Sequence, residues 1–144
     1  ELGCGHGLPA VYCMLQGAGA VTWQDYNKEV LTALTMPTVT SNMSILDIAG
    51  TPRPASHQLR YFSGDWKHLQ DVLEAHSYDL ILTTDTIYAT PSQEKLYNLI
   101  KHCLKPGSGR AYVAAKSHYF GVGGSVRQFQ RVVEKDGESG FIHL

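Results

Sequence analysis

The chain has 144 residues, 43% of them hydrophobic and 17% charged, with a formal net charge of -1. That size and apolar content suit one globular domain, residues 1–144, with its own core, and exclude a disordered chain. Lys and Arg are scattered rather than massed, which argues against direct nucleic-acid binding, and no apolar run reaches the length of a membrane span.

In chain order, the opening ELGCGHGLPA carries Gly3, Gly5 and Gly7 at alternate positions and Pro9 just after them. Glycines so spaced allow a sharp turn and close approach of a ligand, and proline is at home in a first helical turn. A glycine turn running into a helix over Leu8 to Gln16 is expected, presenting backbone N–H groups and a positive dipole end to a ligand. Ala20 to Gln24 reads as a strand ending at Asp25. Asn27 caps a helix from Lys28, Pro37 interrupts it, and Thr38 to Leu46 resumes as a second piece. Residues 47–58, DIAGTPRPASHQ, read as a surface insertion.

Leu59 to Ser63 is the next expected strand, leading into Gly64-Asp65-Trp66, and Leu69 to His76 an amphipathic helix. Tyr78 to Thr84, YDLILTT, has the continuous apolar character of a central strand buried on both faces. Ser92 is placed as the cap of a helix through Leu104, ended by KPGSG. Arg110 to Lys116 is a strand, Gly121 to Gly124 a glycine loop, Val126 to Lys135 a helix, and Gly140 to Leu144 a strand just begun. Alternating strands and helices predict an α/β fold with an open parallel sheet and helices on both faces. The sequence is expected to be a piece of a larger domain, truncated at both ends.

Ligands of such sheets lie beyond the carboxyl ends of the strands, and those ends here carry Glu1-Leu2-Gly3-Cys4-Gly5, Gln24-Asp25, Gly64-Asp65-Trp66, Thr83-Thr84-Asp85 and Lys116-Ser117-His118-Tyr119, where polar residues converge. A dinucleotide fingerprint would be GxGxxG, whereas this chain has GxGxG followed by Leu8. Asp25 follows Gly5 at about the 20-residue offset of a ribose-binding acid. Cys4, Cys13 and Cys103 lack CxxC spacing, which fits a reducing compartment, and the histidines lack metal-ligand spacing, so no metal is expected. Cys4 reads as a small residue packed in the turn. Trp66, Tyr119 and Phe120 can be packing aromatics or ligand contacts, and Asp85 a turn cap or a functional carboxylate.

Glu1, the glycine turn and the strand-end acid together resemble the first two motifs of S-adenosylmethionine-dependent methyltransferases. WQDYNKEVL (Trp23 to Leu31), FSGDW (Phe62 to Trp66), YDLILTTDTIY (Tyr78 to Tyr88) and AAKSHYFGVGGS (Ala114 to Ser125) resemble the histidine protein methyltransferases of the eukaryotic methyltransferase-like group. These belong to the wider set with a D/E-x-x-Y motif after the fourth strand. The resemblance implies a Rossmann-like class I sheet and S-adenosylmethionine as cofactor. It also implies Glu1, Gly3, Gly5 and Thr83 at the methionine portion, Asp25 and Tyr26 at the ribose, and Asp65 and Trp66 at the adenine. Asp85 and Tyr88 match the D/E-x-x-Y motif, with Glu more usual at the first position, and border the substrate side chain. His118, Tyr119 and Phe120 form its opposite wall.

By the same resemblance the enzyme modifies the tele nitrogen of a histidine in the third large-subunit ribosomal protein and is found in cytoplasm and nucleus; a monomer is expected. A lysine-directed enzyme of the same group stays open beside it. So does a cofactor-binding protein without activity that serves as an interaction module.

Overall fold

Pro9 lies in the first turn of α1 (Leu8–Leu15), where the N–H that proline lacks has no helical partner. The structure is a computed structural model and describes residues 1–49, 55, 58–117, 119–137 and 142–143. The chain divides into two units, Glu1–Gly64 and Asp65–Leu144.

In the first unit α1 is followed by β1 (Val21–Asp25), α2 (Lys28–Val30), a π-helical segment (Leu31–Thr35), α3 (Met36–Ala49) and β2 (Leu59–Ser63). β1 and β2 pair in parallel, from Val21 opposite Leu59 to Asp25 opposite Ser63. Ala10, Val11 and Met14 of α1 face the same way at helical spacing and share one apolar cluster with Val21, Trp23, Leu31 and Val39. Trp23 is fully buried and stacks on Tyr61, with centroids 5.2 Å apart and planes at 14°. Burial of such a side chain stabilises the fold by about 2–3 kcal/mol.

The interruption expected at Pro37 is a change of winding instead. The backbone stays helical from Lys28 through Ala49, and Pro37 stands directly after the π segment in the first turn of α3. A proline ring clashes with the carbonyl of the preceding α-turn, and the wider π turn absorbs that conflict. The helix also runs past Leu46 into the segment expected as an insertion; residues 50–54, 56 and 57 of that segment lie outside the described residues.

In the second unit α4 (Trp66–Leu69) precedes β3 (Leu80–Thr84), α5 (Thr90–Cys103), β4 (Arg110–Ala114), α6 (Val126–Glu134) and β5 (Ile142–His143). The strands form a parallel ladder in the order β3-β4-β5, with Leu80 opposite Arg110 and Ala111 opposite Ile142. α5 packs on α6, and Leu96, Leu99, Ile100 and Phe129 are fully buried. Phe129 and Val133 form the buried stripe of α6, whose Ser125 cap accepts the Gln128 N–H (3.2 Å).

Three expectations change here. The amphipathic helix over Leu69 to His76 is absent. Asp65 starts a short helix at Trp66, and the backbone N–H groups of His76, Ser77 and Tyr78 instead bond the carbonyls of His102 and Cys103 at the end of α5. β3 is not buried on both faces: Ile81 and Thr83 are buried while Leu80 and Thr84 are exposed, the alternation of a strand covered on one face. Finally, α5 starts at Thr90 after Ala89, ahead of Ser92, because Pro91 fits the first turn.

Candidate functional site

The glycine turn between Glu1 and α1 is held from below by side chains of β1 and the π segment. Gly3, Gly5 and Gly7 have φ of 61°, 52° and 74°, left-handed values that suit glycine. Gln24, fully buried, accepts the Gly3 N–H through Oε1 (3.2 Å) and donates through Nε2 to the Gly64 carbonyl (3.0 Å). Asp25 Oδ2 accepts the Gly5 N–H (3.0 Å), and its Oδ1 accepts that of Asn27 (3.1 Å). Thr35, buried in the π segment, donates its hydroxyl to the Gly5 carbonyl (2.6 Å).

The expectation that this turn offers its N–H groups to a ligand is therefore corrected. Gly3 and Gly5 donate to side chains, and Cys4 and Gly7 to the carbonyls of Gln24 and Cys4. At the start of α1 the Ala10 N–H is taken by Glu1 Oε2 (3.0 Å), and burial pushes the Glu1 carboxyl above the usual range. A turn so engaged, with two carboxylates about it, is a poor seat for a pyrophosphate and a suitable one for a cationic group. A Cβ on Gly5 would meet nothing within 4 Å, so space is open beside it. Gly7 answers to packing instead: a Cβ there would lie 2.6 Å from the Trp23 indole, whose N–H donates to the Gly7 carbonyl (3.1 Å). Cys4 is buried, with its thiol pushed up to about 11 by desolvation, in keeping with an unreactive packing residue. Tyr26, next to Asp25, is exposed.

In the second unit Asp65 caps α4 by accepting the Lys67 N–H (2.9 Å) and pairs with Lys95 of α5 (2.7 Å). The Lys95 ammonium, with the Lys67 N–H behind it, holds the Asp65 carboxyl below its usual range. Trp66 follows at the first helical position, half-buried.

At the end of β3, Thr83 is buried and its hydroxyl meets that of Thr86 (2.6 Å). Asp85 adopts φ 55°, uncommon for a non-glycine residue, while its N–H bonds the Ala114 carbonyl (2.8 Å). The next residues are fixed by the glycine loop: Gly124 donates to the Tyr88 carbonyl (2.9 Å), and a Cβ on Gly124 would stand 2.2 Å from the Ile87 oxygen. Gln93, also buried, donates to the Ile87 carbonyl (2.8 Å). Tyr119 returns from the loop to donate its hydroxyl to Asp85 Oδ1 (2.5 Å), with its ring edge-on to Tyr88 at 6.3 Å. Burial first, then the Asp85 carboxylate, pushes the Tyr119 phenol above its ordinary value. Phe120 is 98% exposed and so packs on little among the described residues. An open groove of about 510 Å³ runs along Tyr119, Phe120, Gly121, Gly123, Gly124 and Ser125.

The structure thus groups Glu1, Gly3, Gly5 and Asp25 in one unit and Asp85, Tyr88 and Tyr119 in the other, while His118 lies outside the described residues. Sequence reasoning named Gln24 only as a polar residue at a strand end and missed Thr35 and Lys95. Gln24 left a signal, a polar residue inside an apolar strand, whereas Thr35 and Lys95 are brought to their partners by the fold alone.

Parallel strands joined through helices, with carboxylates at the ends of β1 and β3, define an α/β protein, a class in which ligands lie beyond the carboxyl ends of the strands. The family described as lysine methyltransferase matches residues 1–122, and the chain belongs to it. Among curated proteins, a histidine protein methyltransferase 1 homolog from Dictyostelium discoideum is 45% identical over 93% of this chain and 40% of its own length. The protein of that name from Rattus norvegicus is 36% identical over 95% of this chain and 42% of its own length. Histidine protein methyltransferase 1 from Schizosaccharomyces pombe is 29% identical over 94% of this chain and 48% of its own length. The chain spans less than half the length of these relatives, and the resemblance read from its motifs holds along nearly all of it.

Proposed function

We propose that the protein is an S-adenosylmethionine-dependent protein-histidine methyltransferase and that this chain carries the catalytic part, a Rossmann-like class I domain. The observation that carries the reading is the 45% identity, over 93% of the chain, to a protein named as a histidine protein methyltransferase 1 homolog. The site's chemistry supports it. A turn with engaged N–H groups and the carboxylates of Glu1 and Asp25 suits a cofactor that is cationic at sulfur and has no phosphate. Within the first unit Glu1, Gly3 and Gly5 would take its methionine portion and Asp25 and Tyr26 its ribose; the roles of Asp65 and Trp66 at the adenine and of Thr83 near the methionine end rest on the resemblance alone. When bound, the cofactor supplies an electrophilic methyl group.

An imidazole is neutral and nucleophilic near pH 7 because its ordinary pKa is about 6.5, so no strong base is needed. One Asp85 oxygen is held by Tyr119, and the other has no hydrogen-bond partner among the described residues. That oxygen can accept the second ring N–H of the substrate, fix the tautomer and stabilise the imidazolium as it forms. Tyr88 and Phe120 border the substrate. The resemblance further supports the third large-subunit ribosomal protein as substrate and cytoplasm and nucleus as compartments. The family description supports lysine as the second reading.

The test is methyl transfer from labelled S-adenosylmethionine to unmodified ribosomal protein by the full-length protein, followed by acid hydrolysis and separation of methylated amino acids. Label in methylhistidine, lost on Asp85→Ala, is the expected result. Label in methyllysine would move the protein to the second reading, and cofactor binding without any transfer would make it an interaction module.

A further inference from the structure

A carboxylate on an exposed loop samples several rotamers, and the proposed reaction needs one. Backbone geometry fixes only the start of the Asp85 side chain: its φ is 55° and its N–H bonds the Ala114 carbonyl (2.8 Å). The remaining restraint comes from Tyr119, 34 residues later in sequence, whose hydroxyl donates to Asp85 Oδ1 (2.5 Å). Tyr119 is itself held at both ends. The Lys116 backbone N–H donates to its phenolic oxygen (3.2 Å), and its own N–H bonds the Gly124 carbonyl (3.2 Å). With that oxygen accepting from Lys116, its single proton is directed to Asp85. The ring sits edge-on to Tyr88 and under the Lys116 ammonium, 5.9 Å from the centroid.

We propose that Tyr119 is a positioning residue that acts through Asp85, holding Oδ1 so that Oδ2 faces the substrate imidazole, and is not part of the substrate wall. The inference rests on the histidine methyltransferase reading above. Its consequence is that the glycine loop and the Asp85–Tyr88 turn act as one device: the loop that borders the groove also sets the carboxylate. The titratable groups facing Tyr119 among the described residues are Asp85, Tyr88 and Lys116.

Two measurements on the full-length protein test this. In kinetics, Tyr119→Phe keeps the ring and removes the proton, and it should lower kcat about tenfold or more while KM for S-adenosylmethionine stays within about twofold, the effect of losing a hydrogen bond to a charged group. In an Asp85→Ala background the same substitution should lower the residual rate no further. Losses that multiply, or a change confined to substrate KM, would overturn the inference and return Tyr119 to the substrate wall. Independently of activity, NMR of ring-labelled tyrosine should find the Tyr119 phenol titrating above the ordinary tyrosine range and moving down in Asp85→Ala. A phenol that does not move overturns the pairing. Wild-type protein that forms no methylhistidine would instead sink the functional reading, while the tyrosine titration still reports on the pair itself.

Discussion

Asp25 grips the backbone on both sides of β1's end, taking the Gly5 N–H at 3.0 Å with one carboxylate oxygen and the Asn27 N–H at 3.1 Å with the other. The same carboxylate is the proposed ribose ligand. Asp25→Ala removes both roles, so affinity for S-adenosylmethionine measured by calorimetry should fall about tenfold or more. Asp25→Asn keeps the shape but leaves one oxygen to serve two N–H groups, and should fall between. Unchanged affinity in Asp25→Ala would show that the turn is set by Gln24 and Thr35 and that Asp25 is not a ligand.

Gly7 and Trp23 give a prediction on stability. A methyl group at Gly7 would stand 2.6 Å from the indole of a fully buried tryptophan, on a backbone with φ of 74°. The indole is locked by its own bond to the Gly7 carbonyl and by the stack on Tyr61, so it has little freedom to retreat. Overpacking and left-handed strain together should destabilise Gly7→Ala by about 2–4 kcal/mol. Gly17→Ala has a comparable φ of 91° but open space, and should lose about 1 kcal/mol. Chemical denaturation of both variants checks the difference; equal losses would mean that strain alone accounts for Gly7.

The glycines before α1 also show how far the fold is legible in the sequence. The spacing of Gly3, Gly5 and Gly7 announced a turn before a helix, and a turn is present, yet Gly7 serves the Trp23 indole while the turn's donors face inward. Local signals carry period, caps and breakers, and these located the strands among the described residues to within a few positions. Pro37 signals a conflict with an α-helix but not its outcome: the expected interruption is a π segment, whose Thr35 bonds the distant Gly5 carbonyl. The helix expected over Leu69 to His76 lost to distant needs, since the end of α5 draws on the donors of residues 76–78. In the same way Asp85 was legible as a strand-end acid, whereas its hydrogen bond to Tyr119 appears only once the glycine loop is folded against Tyr88.

Stability should depend on pH through Asp65. Lys95 and the Lys67 N–H lower its folded pKa below the unfolded value, so folding releases stability that is fully present above the unfolded pKa, about 4. That contribution is lost as pH falls through the folded pKa. The pair is partly exposed, so its worth is at most about 1 kcal/mol and declines with salt. The stability gap between wild type and Lys95→Ala should therefore be constant from about pH 8 to 5 and narrow below about 4. A gap that persists at low pH would trace the effect to packing of the lysine stem.

Gly124 has no strained φ to justify it; the neighbouring backbone does. A Cβ there would lie 2.2 Å from the Ile87 oxygen and 2.3 Å from that of Tyr88, and backbone atoms cannot swing aside as a flexible side chain can. In Gly124→Ala the loop must lift, losing the Gly124 N–H bond to Tyr88 (2.9 Å) and the Tyr119 N–H bond to Gly124 (3.2 Å). Tyr119 would then no longer meet Asp85, and methylhistidine formation should drop at least tenfold, since small displacements of a positioning group are amplified in rate. Gly121→Ala, in open space with φ of 82°, carries strain without the clash and should lose less activity. The two variants separate loop strain from loop docking, and S-adenosylmethionine affinity measured on each checks that the glycine turn at Gly3 and Gly5 is untouched. Equal activity in both would mean that contact between the loop and the Asp85–Tyr88 turn does not govern catalysis.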